Sequence, residues 1–159
     1  MQLKAIPYNL SMWKNTLCST FKLFISKDLS YVAVGRIVKK DGFEAIRQYY
    51  KNSGPDFEKS LNDMIVFDAL IKNTDRHYGN FGFLVDNKTN KIIKPDPLFD
   101  HDNSLYNLAS LDCFEDNTDL FEQYDKTLQP CVYDDFIATA KEVLTSEHRE
   151  KLRKLIDFD

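Results

Sequence analysis

Asp75, Arg76, His77 and Asn80 form the run D-R-H-x-x-N, and Asp100 lies 20 residues beyond Asn80. Phosphoryl transfer asks for few protein groups. One carboxylate orients an attacking hydroxyl and takes its proton, while an amide oxygen and a second carboxylate hold the Mg²⁺ that neutralises the phosphates. Asp75, Asn80 and Asp100 supply that set in that order. A simple turn would account for Asp75 and Asn80, since Asx residues favour turns, but it leaves Asp100 unexplained. A second grouping, His77, Asp100, His101 and Asp102, has donors suited to the Zn²⁺ or Mn²⁺ of a metal-dependent phosphohydrolase. Against that grouping, an extended Asp-His-Asp run puts alternate side chains on opposite faces.

The residues around these groups suggest how they are positioned. Ser53, Gly54 and Pro55 read as a helix start, with Asp56 and Glu58 in the favoured first turn and apolar positions at Phe57, Leu61, Met64 and Ile65. The expected helix is Pro55 to Lys72. Its second half, Met64 to Ile71, is apolar on nearly every face except Asp68, so it should enter the core. Asp68 then needs a partner and is read as a buttress for the loop Asn73 to His77, rather than as a reactant. Phe81 to Val85, a polar turn Asp86 to Asn90, and Lys91 to Lys94 have a hairpin pattern that Pro95 and Pro97 end. Such a hairpin would return Asp100 to the loop that precedes the first strand. Two helices are expected in the tail, about Asp134 to Leu144 and about Ser146 to Ile156, with Thr145 or Ser146 as a cap. In the first 50 residues, Met12 to Ile25 is apolar at irregular spacing, and Ser30 to Val38 suits either a strand or a helix.

The 159 residues fit one domain, 1–159, with 43% hydrophobic and 13% aromatic residues to fill a core. No stretch approaches the roughly 20 apolar residues a membrane helix needs, and the opening residues lack a leader pattern. Cys18, Cys113 and Cys131 are odd in number, widely spaced and without a C-x-x-C pair, as expected of reduced thiols in a cytoplasmic protein. The net charge of −4 hides an asymmetry. Pro95 to Asp135 holds eleven acidic residues against Lys126 alone, which disfavours direct nucleic-acid binding and suits divalent cations or a basic partner, or else a solvated acidic loop.

Phe67-Asp68-Ala69-Leu70-Ile71-Lys72-Asn73-Thr74-Asp75-Arg76-His77-Tyr78-Gly79-Asn80-Phe81-Gly82, with Pro97-Leu98-Phe99-Asp100 and Ser104-Leu105, resembles the C-terminal catalytic region of HipA-like kinases. Its D-R-H-x-x-N core is also similar to the catalytic loop of phosphoinositide kinases. The resemblance implies a mainly α (α+β) fold, a protein-kinase-like large lobe with a short β-hairpin at the active site. It makes Asp75 the catalytic base, His77 a loop-ordering or charge-stabilising residue, and Asn80 and Asp100 the Mg²⁺ and nucleotide ligands. Where relatives often have Gly, this chain has Asp102, an extra metal ligand or a residue that disables the loop. A small lobe is expected to be absent, since no Gly-rich phosphate loop occurs, Gly35 follows Val32-Ala33-Val34 where a lysine would stand, and Lys39 and Lys40 are poor substitutes. The implied activity is ATP- and Mg²⁺-dependent phosphorylation of Ser or Thr in a protein substrate, in the manner of a toxin. The implied companions are a separately encoded small lobe or a DNA-binding antitoxin. A non-catalytic kinase-like binding module remains the alternative.

Overall fold

In the computed structural model, which describes residues 4–38, 41–110, 113 and 118–156, the elements gather around one buried helix, α2 (Pro55–Ile71). Pro55 occupies its first turn, where no intrahelical N–H is required, and Asp56 and Glu58 face the positive end of the helix dipole. Lys72 ends it in the left-handed region at φ 53°, and the Asn73 amide bonds back to the Asp68 carbonyl. Helices α1 (Gly42–Ser53) and α4 (Phe136–Val143) pack against it. Ile46 and Tyr50 of α1, Leu61, Met64 and Ile65 of α2, and Phe136, Ala140 and Val143 of α4 meet in one core. Each large apolar side chain so enclosed contributes about 1.5–3 kcal/mol.

A three-stranded antiparallel sheet covers this core in the order β3 (Leu29–Ala33), β4 (Gly82–Asp86), β5 (Ile92–Pro95). Strands β4 and β5 are the expected hairpin, and β3 joins from 50 residues upstream in the register Leu29↔Asp86 to Ala33↔Gly82. Only glycine fits at 82, because a Cβ there would lie 2.2 Å from the Val32 carbonyl oxygen. Val32 and Ala33, of the run that Gly35 follows where a lysine would stand, lie on β3. The strand belongs to the same sheet as the hairpin, and Gly35 lies on the loop after α2, its N–H bonded to the Tyr78 carbonyl at 3.2 Å. Lys39 and Lys40 fall outside the described residues, as do Asp112, Glu115 and Asp116 of the acidic stretch.

The opening residues are not helical. They form a second sheet, β1 (Tyr8–Trp13) paired with β2 (Thr16–Phe21), turned by Lys14 and Asn15 at φ 46° and 64°. With α3 (Thr118–Thr127) and α5 (Ser146–Ile156), the described residues hold five helices and two small sheets. The expectation of a mainly α fold with one hairpin is thus corrected to a mixed α/β architecture. The two tail helices form where their caps predict: Asp135 accepts from the Ala138 amide, and Thr145 Oγ1 from the His148 amide. Among the described residues, no helix is long and apolar enough to cross a membrane.

Candidate active site

The loop after α2 is built on a buried ion pair. Arg76 is 1% exposed and Asp68 is fully buried, so their charges must be satisfied inside the protein. Arg76 Nε and Nη2 donate to the two Asp68 carboxylate oxygens at 2.9 and 3.0 Å, a bidentate pair. The remaining donors reach outward. Nη1 bonds the carbonyls of Asn80, at 3.1 Å, and Phe99, at 2.6 Å, and Nη2 bonds His101 Nδ1 at 2.8 Å. Two carbonyls that share one guanidinium nitrogen stand within two hydrogen-bond lengths of each other, so this contact fastens the loop carrying Asp75 and Asn80 to the segment carrying Asp100. Asp68 thereby fills the buttressing role expected of it. His101, read from sequence as a bystander of Asp100, belongs to the same network.

Asp75 is half-buried and held from two sides. Its N–H donates to Asn73 Oδ1 at 3.1 Å, and Asn73, fully buried, donates in turn to Asp68. From the other side, Asn103 Nδ2 donates to Asp75 Oδ2 at 3.2 Å. Asn80 is buried too, and its Nδ2 donates to the Asp75 carbonyl at 3.1 Å, which leaves the amide oxygen as the atom available to a cation. His77 is exposed, and its Nδ1 accepts the Gly79 amide at 3.0 Å. A Cβ at Gly79 would meet that ring at 2.7 Å. The imidazole therefore packs within the turn that Gly79 makes.

Asp100 is placed by its backbone. Leu98 pairs with the opening segment through Ile6 N–H to Leu98 O and Leu98 N–H to Lys4 O, and the Asp100 amide donates to the Tyr8 hydroxyl at 2.9 Å. Asp100 itself turns through the left-handed region at φ 59°, a conformation that Asp tolerates better than most residues. Phe99, one position earlier, packs its ring against Tyr31 and Phe24 at 5.4 Å each, and the Tyr31 hydroxyl donates to the Gly79 carbonyl at 2.7 Å. Loop and strand end are thus tied twice, by Arg76 within and by Tyr31 outside.

The charges converge as the backbone does. The Asp100 carboxyl is held above its ordinary range by burial first, then by the charge and hydrogen bond of Asp102, with a further push from Asp75, against the pull of Arg76. Asp75, Asp100 and Asp102 therefore lie close enough to feel one another. A cleft of about 580 Å³ adjoins Asp100 and Asp102, lined also by Tyr8, Ser19, Phe21, Phe99 and His101. The alternative grouping of His77 with Asp100, His101 and Asp102 has no common focus. The His77 ring is engaged by Gly79, and His101 turns inward, Nδ1 on Arg76 and its ring against Phe67 at 5.2 Å. His101 must accept from Arg76 at Nδ1, and burial followed by the Arg76 charge lowers its pKa from the ordinary histidine value.

Sequence reasoning named Asp75, Asn80, Asp100 and Asp102 and missed Asn103, Asn73, Tyr8 and the reach of Arg76. Arg76 carried a signal, as a charge inside the motif beside a buried carboxylate; Asn103 and Tyr8 carried none.

No family model matches the chain, and no curated protein matches it. Among solved structures it is similar to the Helicobacter pylori proinflammatory kinase CtkA, with a TM-score of 0.67 and 23% identity over 84% of this chain and 55% of that one. The fold is kinase-like, and the chain spans about half the length of that kinase.

Proposed function

We propose that this chain is the catalytic-loop and metal-binding lobe of an ATP- and Mg²⁺-dependent phosphotransferase acting on a hydroxyl, Ser or Thr of a protein, as the HipA-like resemblance suggests. The observation that carries this reading is the shared grip of Arg76 on the Asn80 and Phe99 carbonyls. It ties the loop that carries Asp75 and Asn80 to the segment that carries Asp100, a residue lining the cleft.

In this reading Asp75 receives the proton of the acceptor hydroxyl, its backbone held by Asn73 and its carboxylate by Asn103 before substrate arrives. Asn80 Oδ1 and the Asp100 carboxylate, with Asp102 beside it, would hold Mg²⁺. Among the described residues no three His, Cys, Asp or Glu side chains are arranged to hold an ion by themselves. On this reading the site is completed by an amide oxygen and by phosphate oxygens, the usual manner of Mg²⁺. The fit also rests on Asp102 standing near enough for its charge to raise the Asp100 carboxyl, a repulsion that a divalent ion would relieve. When bound, Mg²⁺ supplies the charge that offsets the phosphates during transfer. The aromatic walls of the cleft, Tyr8, Phe21 and Phe99, suit the base of the nucleotide.

The working enzyme on this reading includes a nucleotide-covering lobe, contiguous or separately encoded. In support, the chain spans about half of the kinase it resembles, and the β1–β2 hairpin exposes Leu10, Met12 and Leu17 on the face it shares with Tyr8 and Phe21. A toxin role with a DNA-binding antitoxin, and a cytoplasmic setting, follow from the resemblance alone. A kinase-like binding module is the second reading, favoured by Asp102 crowding Asp100.

The test is transfer from γ-labelled ATP with Mg²⁺ to protein acceptors, by this chain and by the longest form of its gene product. Asp75→Ala and Asp100→Ala should each lower transfer by orders of magnitude while leaving the circular dichroism spectrum unchanged. Undiminished transfer by both variants ends the assignment. Mg²⁺-dependent nucleotide binding without any transfer establishes the binding module instead.

A further inference from the structure

Asn103 stands 28 positions from Asp75 in sequence, yet its side chain is the one that reaches the Asp75 carboxylate. An ionised carboxylate only accepts hydrogen bonds, so the group it meets must be the Asn103 amide nitrogen, which fixes the orientation of that amide. Asn103 Oδ1 then faces Asn107, whose Nδ2 donates to it at 3.1 Å. The amide can neither flip nor swing without losing one of these bonds. Its backbone is fastened as well: the Asn103 carbonyl accepts the Thr74 amide at 3.0 Å, and the Asn103 amide donates to Asp102 Oδ1 at 3.1 Å. One residue thus joins the loop that carries the base to the segment that carries the acidic pair.

The consequence concerns which oxygen of Asp75 is free. Oδ2 is engaged by Asn103, while the Asp75 backbone is pinned by Asn73 and, through its carbonyl, by Asn80 and His77. With the main chain fixed at both ends, the remaining freedom is rotation of the side chain about its Cα–Cβ and Cβ–Cγ bonds. A single hydrogen bond to one oxygen removes that rotation and leaves Oδ1 to meet an acceptor hydroxyl. We infer that Asn103 is a positioning residue for phosphoryl transfer, presenting Asp75 Oδ1 to the substrate hydroxyl, with Asn107 as the brace that holds Asn103 in place. This rests on Asp75 being the base.

Such a residue acts on the rate of the chemical step and leaves nucleotide binding alone, because its side chain meets the base and Asn107, while its contact with the cleft residue Asp102 is through the backbone N–H, which a substitution keeps. A hydrogen bond to a charged group that aligns a reacting oxygen is lost at a cost of about 10- to 100-fold in rate. The experiment compares Asn103→Ala, Asn103→Asp and Asn107→Ala with the wild type, in whichever form of the protein transfers phosphate from Mg²⁺-ATP. Asn103→Ala is expected to lower kcat by about 10- to 100-fold with the KM for ATP unchanged. Asn103→Asp, nearly isosteric but without the donor and with a repelling charge, should lose at least as much. Asn107→Ala, which removes only the brace, should lose less than either. In an Asp75→Asn background, Asn103→Ala should add no further loss. Urea midpoints within experimental scatter of the wild type exclude unfolding as the cause.

A wild-type kcat in Asn103→Ala or in Asn103→Asp, or a raised KM for ATP with kcat intact, overturns the inference while leaving the kinase reading in place. A complete lack of transfer by the wild type in every form removes the reading, and this inference with it.

Discussion

Asp96 offers the sharpest test of the packing that underlies the site. It is 7% exposed; Oδ1 accepts the Gly82 amide at 2.9 Å, and Oδ2 is buried without a hydrogen-bond partner. Burial pushes its carboxyl up from 3.8 to about 7, against the downward pull of the Gly82 and Asp96 amides and the Arg76 charge. The folded protein therefore keeps a proton that the unfolded chain releases near pH 4, and stability attributable to this group falls as pH rises between about 4 and 7. Above 7 both states are ionised and the loss is complete. A gap of roughly three pKa units corresponds to about 4 kcal/mol as an upper bound. Asp96→Asn keeps an acceptor for Gly82 and cannot ionise, though it leaves a buried amide N–H₂ where Oδ2 stood. It should gain about 1–3 kcal/mol over the wild type at pH 8 and nothing, or a slight loss, at pH 4, a change within the span of single core substitutions. Urea unfolding followed by circular dichroism at pH 4, 5, 6, 7 and 8 measures the difference directly. Parallel pH dependences for the two proteins would refute the placement of a buried carboxyl just after β5, against the start of β4.

Arg76→Met strands Asp68 as an uncompensated buried charge and should cost roughly 3–5 kcal/mol in urea unfolding. The double variant Asp68→Leu with Arg76→Met should cost less than the two single changes summed, since it removes the pair together. His77→Ala should slow phosphate transfer by no more than about tenfold, far less than Asp75→Ala, because the exposed ring only accepts the Gly79 amide and shapes the turn. A loss equal to that of Asp75→Ala in a kinetic assay would restore a direct catalytic role to His77.

The elements legible in the sequence were those specified by neighbours along the chain. Gly54-Pro55 opens α2, the polar run Asp86 to Asn90 turns the β4–β5 hairpin, and Asp135 and Thr145 cap the last two helices. The β1–β2 hairpin escaped because its two turn residues adopt positive φ without glycine: Lys14-Asn15 lacks the Asn-Gly signature of such turns. Helix α1 carried a signal that went unread, with Phe43, Ile46, Tyr49 and Tyr50 at helical spacing. Strand β3 could not be assigned locally, because its partner lies 50 residues away and its fit depends on Gly82 leaving room for the Val32 carbonyl.

The same division runs through the site. The groups proposed to touch substrate and metal belong to a motif in which residue type and order already imply a chemistry, and they lie on two segments that Arg76 joins. What holds them there does not belong to a motif of that kind. Arg76 spends none of its five donors on solvent or ligand; it satisfies Asp68 and then closes the loop on the strand end through two carbonyls and a histidine. A guanidinium suits this place better than an ammonium, because a planar fork can meet a carboxylate on one edge and still point donors at two separate backbone segments. Arg76→Lys should therefore preserve the charge and lose the clasp. The expected result is a protein nearer to the wild type in urea than Arg76→Met, yet with the Asp75 loop and the Asp100 segment exchanging their amide hydrogens faster. Wild-type protection of residues 73–80 and 98–101 in Arg76→Lys would show that charge alone, and not the fork, holds the two halves together.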